Sequence, residues 1–229
     1  MAIAKVQVNY ASPGGGSPFT NPTSVTISAS GAGNLLVAGI LAEGNYFTIS
    51  SITDNVGNTY IPVPNVQSVS THIIGAVWTD IWYCAGAKAG ATTVTFTFSE
   101  TTTGGFVYVI EYSGVAHTNA IDASGHLPFN TFGAWNGQPI TISNAGSVIL
   151  TSITGIQFAT PNVNAPFVDD ATLLGYVPDY LPGATGTYQP TWTQSSDYIA
   201  SSIVAFLPIP QGGNPNLTAF GVGALATVI

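Results

Sequence analysis

Apolar residues recur along this chain at every second position or in short continuous runs, with no convincing helical period, and that pattern confines it to β-sheet. Residues 23–29 alternate cleanly, with Val25, Ile27 and Ala29 on one side, and residues 92–98 do the same with Val94, Phe96 and Phe98. Such segments predict half-buried strands of an antiparallel sheet. Residues 35–41, 106–110, 147–158 and 198–207 are apolar on both sides, as central strands are when each face is covered, and two packed sheets would cover them. Between the runs lie Ser12-Pro13-Gly14-Gly15-Gly16-Ser17, Asp54-Asn55-Val56-Gly57-Asn58, Thr103-Gly104-Gly105 and Gln211-Gly212-Gly213-Asn214-Pro215-Asn216. These supply the positive and fixed φ angles that turns need. The expectation is an all-β, antiparallel β-sandwich, jelly-roll-like, with long loops from residues 159–196 gathered at one end.

One sandwich domain over residues 1–229 is expected, with 211–229 as a spacer plus a terminal strand. No charged residue follows Asp197. As a strand, residues 217–229 put Phe220, Val222 and Val228 on one face and Leu225 on the other. An uncharged alternating strand is an aggregation hazard unless something pairs with it. Its partner is either its own sheet or a neighbouring subunit, and Phe220, Val222, Leu225 and Val228 are the candidate subunit contacts.

Charge is scarce. Two lysines, no arginine and ten carboxylates in 229 residues leave 5% charged side chains against 45% hydrophobic ones, where a soluble domain ordinarily has about 25% charged. A net charge of −8 repels a phosphate backbone, and Lys5 and Lys88 release too few counterions to bind one, so nucleic acid is not an expected partner. Few cations also mean modest self-repulsion when the carboxylates are protonated, which predicts tolerance of acid. The apolar runs are too short to span a bilayer as helices. Cys84 is the only cysteine, so no intrachain disulfide forms. The amino terminus carries no basic region followed by an apolar stretch, so a secretory leader is not expected in this sequence.

Each group with chemical potential has a bland reading beside a functional one. Asp54-Asn55-Val56-Gly57-Asn58 gathers oxygens around a glycine but lacks the ordered acidic spacing of a calcium loop, and Asp and Asn make turns by bonding their own backbone. Trp78, Asp80 and Trp82 share one face of a strand; either the indoles fill the core, or they stack on sugar rings beside a carboxylate that accepts hydroxyls. Tyr176, Tyr180, Tyr188 and Trp192 lie near Asp169, Asp170 and Asp179, either as a small loop core or as a contact surface. His72, His117 and His126 have no ligand-like spacing. Glu111 sits among Val107 and Val109 on a strand, which predicts a half-buried, hydrogen-bonded carboxylate, and no pair of carboxylates is placed for glycoside hydrolysis. No nucleophile elbow, phosphate loop or dinucleotide fingerprint occurs. No catalytic residue, metal or cofactor is therefore expected.

Read in order, Gly33-Asn34-Leu35-Leu36-Val37-Ala38, Ile52-Thr53-Asp54-Asn55-Val56-Gly57-Asn58-Thr59-Tyr60, Ala91-Thr92-Thr93-Val94-Thr95-Phe96, Glu111-Tyr112-Ser113-Gly114-Val115 and Asp122-Ala123 resemble a loosely defined group of β-sandwich domains in bacterial surface proteins and in phage tail or other virion proteins. The resemblance implies a sandwich fold and a surface location, and no activity. The expectation is a non-enzymatic structural protein of a virion exterior, a capsid shell, decoration or tail-fibre subunit, whose partners are other copies of itself and other structural proteins. The alternatives are a carbohydrate-binding or adhesive module at an extracellular or cell surface, with Trp78, Asp80, Trp82, Tyr180 and Trp192 meeting surface glycans, or a subunit of an extracellular filament joined by strand exchange.

Overall fold

The computed structural model describes residues 2–13, 17–72, 75–100, 104–156, 161–169, 175–194 and 196–210, and among these every regular element is a strand. In chain order they are β1 (Ala4–Ala11), β2 (Thr23–Thr26), β3 (Leu35–Gly44), β4 (Ile49–Asp54), β5 (Ile61–Pro62), β6 (Ser68–His72), β7 (Gly75–Cys84), β8 (Thr93–Phe98), β9 (Gly104–Ser113), β10 (Ile121–His126), β11 (Thr131–Gly133), β12 (Ile140–Ile142), β13 (Val148–Gly155), β14 (Asp179–Tyr180), β15 (Gly186–Tyr188) and β16 (Asp197–Phe206). All named pairings are antiparallel.

The first half of the chain forms a central sheet, β1-β9-β3-β7, with β5 and β6 both on the far side of β7, and a short sheet, β2-β8-β4. Pairing β1 with β9, β2 with β8 and β3 with β7 is what results when one long antiparallel hairpin rolls up, the jelly-roll order. Alternation along β3 explains why its two sides are both apolar. Leu36, Ala38, Ile40 and Ala42 pack toward the short sheet with Val25, Val94, Phe96 and Val109, whereas Leu35, Val37 and Leu41 point the other way.

What they meet there is the second half of the same chain. The sheet β10-β16-β13-β14, with β11 also on β16, lays Val148, Leu150, Val204 and Phe206 against Leu35, Val37, Ile81, Tyr108 and Tyr112. Its own outer side carries Ile149, Ile203 and Ala205, which pack with Ile140 and Ile142 of the β12-β15 pair. The two sheets expected from the sequence are thus extended by further β layers, and the central sheet is buried on both faces because sheets from both halves cover it.

The two faces of the central sheet differ in chemistry. The side toward the short sheet is aromatic and aliphatic apart from the buried carboxylates of Asp80 and Glu111. The other side carries buried hydroxyls: Thr79 and Ser202 meet at 2.5 Å, the Thr151 hydroxyl donates to the Ser202 carbonyl at 3.0 Å, and that of Ser68 to the Leu127 carbonyl at 3.2 Å. Gly39 on β3 is required by close approach, since a Cβ there would lie 2.3 Å from the Tyr108 hydroxyl.

Candidate functional site

Strand β7 sets Trp78, Asp80 and Trp82 on one side, as alternation predicts, and that side faces the short sheet. Their surroundings separate them. Trp78 is fully buried, its ring edge-on to Phe47 at 4.4 Å and to Tyr46 at 6.0 Å. It offers no face to a ligand, which corrects its assignment as a glycan contact: Phe47 closes over the indole.

Asp80 and Trp82 lie beyond that cover. They line a cleft of about 310 Å³ with Thr48 and Ile49 at the start of β4 and with Pro62 and Val66. Asp80 is 7% exposed; one carboxylate oxygen accepts from the Ile81 amide at 2.9 Å and the other from the Trp82 indole N–H at 3.2 Å. Burial pushes the Asp80 carboxyl up to about 6, against the pull of those two hydrogen bonds. Trp82 is half-buried. A carboxyl that titrates near pH 6 beside an indole can accept from hydroxyl or amide donors of a group seated in the cleft.

Tyr180 and Trp192 are elsewhere. Trp192 is buried, donating its indole N–H to the Gly175 carbonyl at 2.8 Å, which corrects its assignment as an exposed anchor, since the loop backbone encloses it. Tyr180, half-buried on β14, sits between Phe167 and Tyr188, each 5.6 Å away. These rings belong to the second half of the chain, while the Asp80–Trp82 cleft is on the opposite face of the central sheet, so the five residues do not form one surface. Tyr176 is buried against Phe106 at 5.7 Å, and Asp169 accepts from the Gly175 amide at 2.5 Å. The segments between β13 and β16 therefore add to cores already built, Tyr176 and Trp192 to the one against the central sheet and Phe167, Tyr180 and Tyr188 to the one outside β13 and β16. Asp170 and the candidate subunit contacts Phe220, Val222, Leu225 and Val228 lie outside the described residues.

The remaining polar groups have local work. Asp54 accepts from the Val56 and Asn58 amides, the Asn58 side chain and the Tyr60 hydroxyl. Burial pushes its carboxyl up, but these bonds outweigh burial and hold it below the usual range; this is turn geometry. Glu111 is fully buried and accepts from Gln7 at 2.5 Å, the Gly31 amide at 2.7 Å and Asn34 at 2.6 Å. Asp179 pairs with Lys5 at 3.2 Å and accepts from the Tyr112 hydroxyl at 2.6 Å. The three histidines stand apart: His72 against Tyr198 at 4.7 Å, His117 beside Gly33 and Gly86, and His126 on the Asn65 carbonyl at 2.8 Å.

One surface was not anticipated. Phe129 and Phe132 are 63% and 62% exposed, and Phe132 continues into Tyr198 at 4.9 Å and then His72. The signal was present in Phe129-Asn130-Thr131-Phe132, where two aromatics flank turn-forming residues; Asn130 takes a φ of 59° and its side-chain oxygen accepts from the Thr71 amide and hydroxyl. Among the described residues no helix is long and apolar enough to cross a membrane. Compared with known proteins, the chain matches no family model, no curated protein and no solved structure.

Proposed function

We propose that this chain is a non-enzymatic structural subunit of a virion exterior, a capsid shell, decoration or tail-fibre element, which assembles with other copies and other structural proteins through charge-poor β surfaces. The observation that carries this reading is where the few charges sit. Asp80, Glu111, Asp179 and Asp197, four of the ten carboxylates, are buried, so the exterior is poorer in charge than the composition alone implies. Phe129, Phe132, Val6 and Leu181 are exposed on it. Large apolar side chains on a surface with few charges are what protein contacts use and what a free monomer avoids. The jelly-roll order supports the reading at the level of fold, being shared by capsid and lectin domains.

Analytical ultracentrifugation with negative-stain microscopy of the purified chain tests it. Discrete oligomers, particles or fibres are expected at micromolar concentration, and a monomer persisting at millimolar concentration would contradict it. The second reading, a carbohydrate-binding module at an extracellular or cell surface, is favoured by the Asp80–Trp82 cleft. A glycan array with binding lost in Trp82→Ala would promote it.

A further inference from the structure

The buried carboxylates differ in what compensates them. Glu111 takes donors from Gln7, Gly31 and Asn34, and Asp179 pairs with Lys5 and accepts from the Tyr112 hydroxyl. All of these come from other parts of the chain. Asp80 accepts from the Ile81 amide and the Trp82 indole N–H, its own neighbours in sequence, and among the described residues no cation reaches it. A buried charge without a counter-charge is costly, and burial accordingly pushes this carboxyl up to about 6.

Asp80 also lines an open cleft. Its volume of about 310 Å³ lies at the lower bound, about 300 Å³, of sites that enclose a small molecule, and it suits one long side chain better than a strand. Ile49, Pro62, Val63 and Val66 give it apolar walls, and its other polar linings are neutral. Such walls match the methylene stem of a basic side chain, whose charged head then reaches a polar floor. The Trp82 N–H is spent on Asp80, so what the indole offers a guest is its ring, which attracts a cation. A sugar hydroxyl would bond the carboxylate but leave its charge unbalanced, whereas an ammonium or guanidinium does both.

We infer that the Asp80–Trp82 cleft is a receptor for one basic side chain, a lysine or arginine, projecting from a protein other than this one. This rests on the assembly reading above and names the chemistry of a partner that is not another copy. The chain has two lysines and no arginine, and both lysines are engaged. Lys5 is paired with Asp179 at 3.2 Å. Lys88 donates its ammonium to the Gly57 carbonyl at 2.9 Å, and its backbone amide donates to the Asn58 side chain at 2.8 Å. A second copy would have to break one of these contacts to fill the cleft. A basic partner breaks none, and the net charge of −8 draws it in.

The test uses the full chain at about pH 7.5, where a carboxyl titrating near 6 is ionised, and follows the Trp82 indole N–H by NMR, assigned through Trp82→Phe. The probes are a capped glycine pentapeptide with a central lysine, its arginine counterpart and, as control, its glutamine counterpart. The basic peptides should shift the Trp82 resonance with half-saturation on the order of 1 mM, and the glutamine peptide should not. Asp80→Asn, which keeps the side chain's shape without its charge, should weaken the response at least ten-fold. Equal shifts from basic and glutamine peptides, or none at about ten times that concentration, overturn this inference and leave the assembly reading standing. A shift with methyl glucoside in place of the basic peptides overturns it in favour of a glycan. Self-association weakened in Asp80→Asn overturns it in favour of a second copy's lysine. A wild type that binds the basic peptides yet stays monomeric supports the cleft and contradicts assembly between copies.

Discussion

The two edges of the β2-β8-β4 sheet are built from similar Ser- and Thr-rich strands, yet one is capped by side chains and, among the described residues, the other is not. At β2, Gln7 and Asn9 of the neighbouring sheet bond the backbone of Ser28 and Thr26, and Gln7 is itself held by the buried carboxylate of Glu111. At β4 the sheet ends above a cleft floored by Asp80 and Trp82. Both flanks bury a carboxylate under the short sheet, but Glu111 has three donors from other segments while Asp80 has only its own neighbours in sequence. A fold can therefore close an edge with side-chain amides anchored on a buried charge, and among the described residues the β4 edge has no such device.

The largest effect that sharpens this contrast belongs to the β4 flank. Trp78→Ala removes the fully buried ring on which Phe47 packs and should cost about 4 kcal/mol, read as a lower melting temperature. On the other flank Glu111→Ala leaves the Gly31 amide and the Asn34 and Gln7 side chains without their acceptor; a loss of about 3 kcal/mol is expected in denaturant unfolding, together with release of Gln7 from the β2 edge.

Asp80→Asn should act in the opposite direction. Its carboxyl is raised from 3.8 to about 6, chiefly by burial, so the folded state holds the proton more tightly than the unfolded chain. The stability this contributes is fully present below about pH 4 and lost as pH rises through 6. The span corresponds to about 3 kcal/mol. Asp80→Asn should remove that slope between pH 4 and 7 and be the more stable protein by about 2 kcal/mol at neutral pH, as measured by unfolding across that range. Below pH 4 the sign reverses: burial raises Asp54 and Asp122, but hydrogen bonds outweigh it and hold both low, so stability that depends on their charge is present above pH 4 and falls as acid protonates them.

The smallest expected change is the most specific. Gln7→Ala removes the caps on Ser28 at a cost of about 1 kcal/mol, and it should open the β2 edge. New self-association, seen by sedimentation, is the expected outcome.

Much of the strand order was legible because burial follows alternation. Val25 and Ile27 of the first alternating segment and Val94, Phe96 and Phe98 of the second are buried as read, and the two-sided run at residues 35–41 is the strand at the middle of the central sheet. The number of layers was not legible, since a strand apolar on both sides records that each is covered and not by what. Gln7 and Asn9 read as ordinary polar positions on an edge strand, and a bulge between Lys5 and Gln7 defeats simple alternation there. It lets Lys5 reach Asp179 on one side of the sheet while Gln7 caps β2 on the other. Glu111 was readable as a held carboxylate, but its partners come from 77 to 104 residues away in sequence. Of the candidate site, the shared face of Trp78, Asp80 and Trp82 followed from spacing, whereas the burial of Trp78 and Trp192 depends on Phe47 and on the loop carbonyl of Gly175, contacts that no local pattern carries.

Hydrogen exchange of the full chain, followed as a function of protein concentration, tests the difference between the two edges most directly. The Ser28 amide, capped by Gln7, should be protected at every concentration, while the outer-side amides of β4, which no described strand pairs, should exchange freely in the dilute sample. Protection of the outer side of β4 that is already complete in the dilute monomer, or fast exchange of the Ser28 amide there, would contradict the account.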